Sequence, residues 1–342
     1  MRRYFIIFLF LILLVGVLIY LPRKPFSKTE VVFNIEKGWG SRDIAFNLEK
    51  EGLVVFSPLF RIYVSTVGVS EKLQAGKYIL SPSMSIPQIA SKMAQGEVIK
   101  EKITIIEGWN LRNIGFYFEN KGMFQAEEIW EVAGFPAVDY AEAEDLPKPK
   151  DFSAEYEFLK GKSENISLEG YLFPDTYEIN PGIEVEEIIR KMLSNFNEKL
   201  TSELRQEIEN QGKTIFDIIT MASLIEKEVQ AKEDKEIVSG IFWKRIALGK
   251  PLESCATIAY IKGIDQWRYS FEDTRIDSPY NTYLNAGLPL GPICNPGLES
   301  IGAALYPKES QYWYYLSTPE GETIFSKTLE EHNIAKAKYL GR

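Results

Sequence analysis

The chain has 342 residues, enough for two or three domains with cores of their own. Hydrophobic residues at 45% and charged residues at 25% exclude a disordered chain and a multi-span membrane protein, and a net charge of −9 lacks the basic footprint of a nucleic-acid binder. One histidine, His332, and two cysteines, Cys255 and Cys294, exclude a His-rich metal site, a zinc knuckle and a disulfide framework. No metal or cofactor is expected, and any catalysis falls to carboxylates or hydroxyls.

Residues 4–21 (YFIIFLFLILLVGVLIYL) carry no charge and no amide. As a helix they span about 27 Å, close to the thickness of a bilayer core. A cleaved signal peptide would have a shorter apolar region and a small-x-small site, whereas Pro22, Arg23, Lys24 and Pro25 follow here. Residues 1–29 therefore read as a short tail, a single-pass transmembrane helix and a linker. Charge does not orient the helix, because Arg2 and Arg3 precede it while Arg23, Lys24 and Lys28 follow.

An internal repeat comes next. At an offset of 70, FNIEKGWGSRDIAFNLEKEG (33–52) aligns with ITIIEGWNLRNIGFYFENKG (103–122), pairing Gly38 with Gly108, Trp39 with Trp109, Arg42 with Arg112 and Gly52 with Gly122. At an offset of 99, Tyr78 meets Tyr177, Pro82 meets Pro181, Ile89 meets Ile188 and Met93 meets Met192. Each copy reads as strand, glycine turn, helix, then strand, helix, giving modules over 30–100 and 101–192. The two offsets differ by 29 residues, which places an insertion in the second copy between Gly122 and Tyr171. The stretch 136–161, rich in Asp, Glu, Pro and Lys, is expected to be that insertion and a surface excursion. Such units resemble LysM-like modules that bind N-acetylglucosamine polymers; a spacer role fits them equally, since only Trp39 and Trp109 suggest a sugar-stacking surface.

The remaining region, 193–342, opens its longest helical pattern at KTIFDIITMASLIEKEVQ. At about 100° per residue, Ile215, Ile218, Ile219, Ala222, Ile225 and Val229 form one apolar face, and Glu226 falls inside it. Glu228 falls outside that face with Asp217, and reads as solvated, as do Glu233 and Asp234. A carboxyl group among apolar side chains holds its proton more tightly, the property a general acid needs. The structural alternative for Glu226 is a buried ion pair with Arg245 on the following helix, EIVSGIFWKRIALG.

Four stretches taken together resemble the YceG-like family of endolytic murein transglycosylases: EGYLFPDTYEI (169–179), ASLIEKEVQ (222–230), SPYNTYLNAGLPLGPICNPGLESIGAALYP (278–307) and IFSKTLEEHN (324–333). The likeness covers nearly the whole chain. It implies an α+β architecture with an N-terminal transmembrane helix, duplicated LysM-like modules and a C-terminal α+β catalytic domain. It also implies a bacterial cell-membrane enzyme, its N-terminus cytoplasmic and its body extracytoplasmic, that cuts peptidoglycan glycan strands with the glutamate of an A-S-I/L-x-E-K-E motif, carried here onto Glu226. Penicillin-binding and other wall-synthesis proteins are the protein partners it suggests. One departure is visible: where the family often has L-x-S-D-P-T, this chain has Leu252, Glu253, Ser254, Cys255, Ala256 and Thr257.

On this reading protonated Glu226 gives its proton to the oxygen bridging N-acetylmuramic acid and N-acetylglucosamine, then helps remove the proton of the muramoyl C6 hydroxyl as that oxygen attacks C1, leaving a 1,6-anhydro end. The Pro/Gly-bounded segment 278–296 is expected to wall the cleft, with Tyr280 stacking on a sugar and Asn281, Thr282 and Asn295 hydrogen-bonding to it; Thr257 and Tyr260 are further substrate-binding candidates. His332 reads as a structural or substrate-orienting group. Two other classes stay open: a glycan-binding scaffold without activity, and a muramidase that uses water.

Overall fold

The computed structural model describes residues 2–266 and 269–341; in the first helix the side chains of Arg2, Phe5, Ile7, Phe8, Leu9, Leu11 and Ile12 lie outside the described ones. The chain is α+β, with small two-stranded sheets set among many helices. It divides into two compact units, Met1–Ile103 with Glu178–Ile183, and Thr104–Tyr177 with Glu184–Arg342.

The first unit begins with α1 (Arg2–Tyr20), a helix over the residues expected to cross a membrane. Among the described residues, however, no helix is long and apolar enough to do so, and much of the apolar stretch behind that expectation lies outside the described side chains. Strands β1 (Val31–Ile35) and β2 (Gly76–Leu80) pair antiparallel from Val31 opposite Leu80 to Ile35 opposite Gly76. Alternation sends Phe33, Ile35, Tyr78 and Leu80 into the core and their neighbours outward. Helices α2 (Ser41–Lys50), α3 (Ser57–Thr66) and α4 (Ile86–Gln95) cover that face with Ile44, Leu48, Phe60, Val64, Ile89 and Met93. Ser85 and Gln88 form a capping box at the start of α4, and Gly96, at φ +67°, ends it.

The second copy repeats the order: β3 (Glu101–Thr104), α5 (Leu111–Asn120), α6 (Ala126–Ala133), β4 (Thr176–Ile179) and α7 (Val185–Lys199), with β3 paired to β4. Helices α3 and α6 are the elements that the sequence pattern left inside the links. Gly38 and Gly108, at φ +95° and +78°, occupy the matching strand-to-helix turns, where a left-handed backbone favours glycine. Residues 136–161 lie mostly at the surface, as their composition leads one to expect, but a few buried side chains pin the stretch down. It buries Tyr140, Phe152, Phe158 and Leu159, and the Phe158 ring packs 4.7 Å from Phe196 of α7 and 6.0 Å from Tyr171. A few aromatics that reach a neighbouring helix anchor a stretch whose charged residues stay in solvent.

The rest of the second unit is built around α9 (Ile215–Glu228), preceded by α8 (Ser202–Asn210). A Thr214/Asp217 capping box starts α9, and every residue from 218 to 225 is buried. Helices α10 (Lys232–Ala247), α11 (Cys255–Lys262) and α12 (Leu298–Leu305) pack on it, while α13 (Leu329–Leu340) lies against the hairpin of β5 (Tyr314–Ser317) and β6 (Thr323–Ser326).

Candidate active site

Helix α9 ends in Glu226, Lys227 and Glu228, and the two carboxylates meet different surroundings. Glu226 Oε2 accepts from the Ser300 hydroxyl at 2.6 Å and from the Gly297 backbone N–H at 3.1 Å, both at the start of α12. Its Oε1 pairs with Lys235 Nζ at 3.4 Å, in a contact where both side chains are at most 10% exposed. The ion pair is thus made with Lys235 and not with Arg245. The Arg245 guanidinium donates to the carbonyls of Leu252 (2.8 Å) and Trp313 (3.0 Å) and pairs with Glu253 at 3.4 Å.

Glu228 is not solvated as the helical pattern suggested. It lines a cavity of about 620 Å³ together with Arg245, Glu253, Cys255, Tyr283, Tyr315 and His332. The Ser254 hydroxyl donates to its Oε1. Burial pushes the Glu228 carboxyl above the usual carboxylate range, against the opposing pull of the Ser254 and Tyr315 hydroxyls, the Ala256 backbone and the Arg245 charge. Burial also raises the phenols of Tyr283 and Tyr315, so both stay protonated donors beside it. A carboxyl group that holds its proton more tightly at the wall of a cavity has the property a proton donor to a leaving group needs.

The six residues expected to bind substrate, Thr257, Tyr260, Tyr280, Asn281, Thr282 and Asn295, are all at most 2% exposed. Their polar atoms are engaged within the protein, and most of them brace the cavity from behind. Ser254 N–H donates to Thr282 Oγ1 at 3.1 Å, Thr257 Oγ1 donates to the Ser254 carbonyl at 2.7 Å, and the two threonine hydroxyls lie 3.1 Å apart. That set fixes the serine that holds Glu228. Asn281 donates to the carbonyls of Thr274 and Ile276 and accepts from Tyr283 N–H at 2.9 Å, so it shapes the turn that delivers Tyr283. The Tyr283 hydroxyl lies 3.0 Å from Cys255 Sγ. The Tyr280 ring packs 5.2 Å from Tyr260 and offers no open face for a sugar.

A second buried carboxylate explains Tyr260 and Asn295. Glu169, 1% exposed, accepts from Leu111 N–H at 3.0 Å, Tyr260 Oη at 3.2 Å and Asn295 Nδ2 at 3.0 Å. Burial nevertheless lifts its pKa to about 8, with those donors and Arg112 pulling it down. Cys255 and Cys294 are not joined in a disulfide, and Cys294 is buried with its Sγ on the Ser223 carbonyl. Among the described residues no group of three or more His, Cys, Asp or Glu is placed to hold a metal ion.

The YceG-like family pattern matches residues 33–338. A Bacillus subtilis protein named endolytic murein transglycosylase is 34% identical over 321 residues, 93% of this chain and 87% of that protein. A Streptococcus pneumoniae D39 protein of the same name is 30% identical over 94% of this chain, which spans 60% of its length. The crystal structure of a YceG-like protein from Listeria monocytogenes superposes with a TM-score of 0.59 at 32% identity, covering 91% of this chain and all of the other.

Proposed function

The chain belongs to the YceG-like family, and from that premise we propose that it is an endolytic murein transglycosylase with Glu228 as its proton donor. The observation that carries this reading is the cavity: Glu228 reaches it with a carboxyl whose pKa burial raises, whereas Glu226 is occupied by Lys235, Ser300 and Gly297. Protonated Glu228 gives its proton to the oxygen between N-acetylmuramic acid and N-acetylglucosamine. The carboxylate so formed receives the proton of the C6 hydroxyl as that oxygen closes on C1, and a 1,6-anhydro end results with no water consumed. One carboxyl group serves both steps, unlike the pair required for ordinary glycoside hydrolysis. Glu226 then has a structural part, joining α9, α10 and the start of α12.

The full chain acting on purified glycan strands tests the assignment. Glu228→Gln should lower turnover by about 10²- to 10⁴-fold, the span of a lost general acid. Glu226→Gln should keep most of the turnover and lower thermal stability. An inactive Glu226→Gln beside an active Glu228→Gln would return the catalytic role to Glu226, as the motif alone suggested. Product mass decides between transglycosylase and muramidase, because an anhydro end is about 18 Da lighter than a reducing end, the mass of the water that hydrolysis adds.

Two finer features complete the proposal. The repeated units hold glycan as LysM-like modules, with Trp39 and Trp109 in matching places, and α1 attaches the protein to the cell membrane with its body outside. In support of attachment, Tyr4, Ile6, Phe10, Leu13, Val17 and Tyr20 leave an apolar surface exposed along α1. Peptidoglycan strands are the substrate, and wall-synthesis proteins such as penicillin-binding proteins are the partners proposed.

A further inference from the structure

His332 lines the same cavity as Glu228, from the first turn of α13. Its backbone N–H donates to the Thr328 carbonyl at 3.1 Å, and its ring stacks on Tyr314 with centroids 5.2 Å apart and planes 22° apart. Arg245 lies 5.5 Å from the same Tyr314 ring, so the orientation of the imidazole is set from several sides. His332 is 8% exposed, and its Nδ1, buried from solvent, has no hydrogen-bond partner among the described residues. A buried polar atom left unpaired costs about 1–3 kcal/mol. A residue needed only to stack on Tyr314 would avoid that cost by being phenylalanine. Nδ1 is closed off from solvent, so the ring meets the cavity through its other edge, which carries Nε2.

We propose that His332 positions the bound glycan in the Glu228 cavity by exchanging a hydrogen bond between its imidazole and a hydroxyl or acetamido group of the sugar. This rests on the reading that the glycan is cut in that cavity. Burial, with the positive charges of Lys336 and Arg245, lowers the His332 pKa to about 4. The ring is therefore neutral where the enzyme works, with one nitrogen to accept and one to donate, and it is not a second proton donor for the reaction. Its contribution is to binding and orientation, made in ground and transition states alike, which is the kind that moves KM.

Three variants of the full chain test it on glycan strands. His332→Phe keeps the ring and the stack and removes both nitrogens; KM should rise about tenfold with kcat within about threefold of the parent. The descending alkaline limb of the pH profile, set by Glu228, should stay in place, and the melting temperature should hold or rise because the unpaired nitrogen is gone. His332→Gln, which restores a donor and an acceptor on a shorter side chain, should recover part of the loss. In the Glu228→Gln background, adding His332→Phe should weaken glycan binding by the same factor. An unchanged KM and binding constant in His332→Phe would overturn the proposal, as would a fall in kcat with a displaced pH limb. If Glu228→Gln keeps its turnover, the reading of the cavity fails by itself, and the binding measurement still reports on His332.

Discussion

Asn295 fills every hydrogen-bonding site its side chain has. The carbonyl oxygen accepts from Gly170 and Leu172 N–H, each at 2.9 Å, and the amide donates to the Trp109 carbonyl and to Glu169 Oε1, each at 3.0 Å. Asn295→Ala strands two backbone donors, the Trp109 carbonyl and the Glu169 carboxyl group in the interior, so it should destabilise the protein by about 2–4 kcal/mol, read as a lower denaturant midpoint. A ligand-binding role alone would leave that midpoint unmoved. Ser254 differs, because its hydroxyl stabilises the charged form of Glu228. On the proposed mechanism cleavage requires the protonated acid, so activity is expected to fall as pH rises through the Glu228 pKa. Ser254→Ala removes a donor to the carboxylate, raises that pKa further and should move the alkaline limb to higher pH. A limb displaced to lower pH would contradict the placement of the proton on Glu228.

Helix α10 carries Gly240 in its interior, where alanine would ordinarily add about 1 kcal/mol of helix propensity. A Cβ there would lie 2.1 Å from the Lys308 carbonyl oxygen, in the strand of chain whose N–H bonds the Glu236 carbonyl at 2.9 Å. Backbone meeting backbone has no rotamer to relieve it, so Gly240→Ala should lower the melting temperature in spite of its propensity; a gain would show that the segment after α12 moves freely. Helix α9 marks how far the sequence could be read. Its extent is visible in the apolar spacing, whereas the Thr214/Asp217 capping box emerges from the structure. The division of Glu226 from Glu228 is not visible, because a wheel separates a core face from water only when water is on the other side. Residues 218–225 are buried all round, and what stands opposite Glu228 is a wall made by Ser254, Tyr283, Tyr315 and His332, which reach it through later parts of the chain. The same limit placed Tyr280, Asn281 and Thr282 on the cleft: a Pro/Gly-bounded motif announces a fixed loop, but only packing decides that Tyr283 faces the cavity and its three predecessors face inward. Repeat order was legible from paired glycines and tryptophans, whereas α3 and α6 fell in the stretches that the two offsets leave unaligned.

Across the molecule, Glu169 and His332 shape the response of stability to pH in opposite directions, with Glu228, also raised by burial, acting in the sense of Glu169. Glu169 has its folded pKa raised from 4.5 to about 8, so its contribution is complete below 4.5 and is lost as pH climbs through 8. His332 is lowered from 6.5 to about 4, so its contribution is complete above 6.5 and is lost as pH falls through 4. Melting temperatures should therefore peak in weakly acidic solution, and Glu169→Gln should flatten the alkaline side alone. Equal slopes for parent and variant between pH 6 and 9 would remove Glu169 from the account. The division into units has a consequence for biosynthesis. The first unit includes Glu178–Ile183, and Ile183 leaves the ribosome 80 residues after Ile103. At about 5–20 residues per second that delay is about 4–16 s. For most of it the nascent β3 has no β4 beside it, an open strand edge held in waiting while most of the second copy is still being translated.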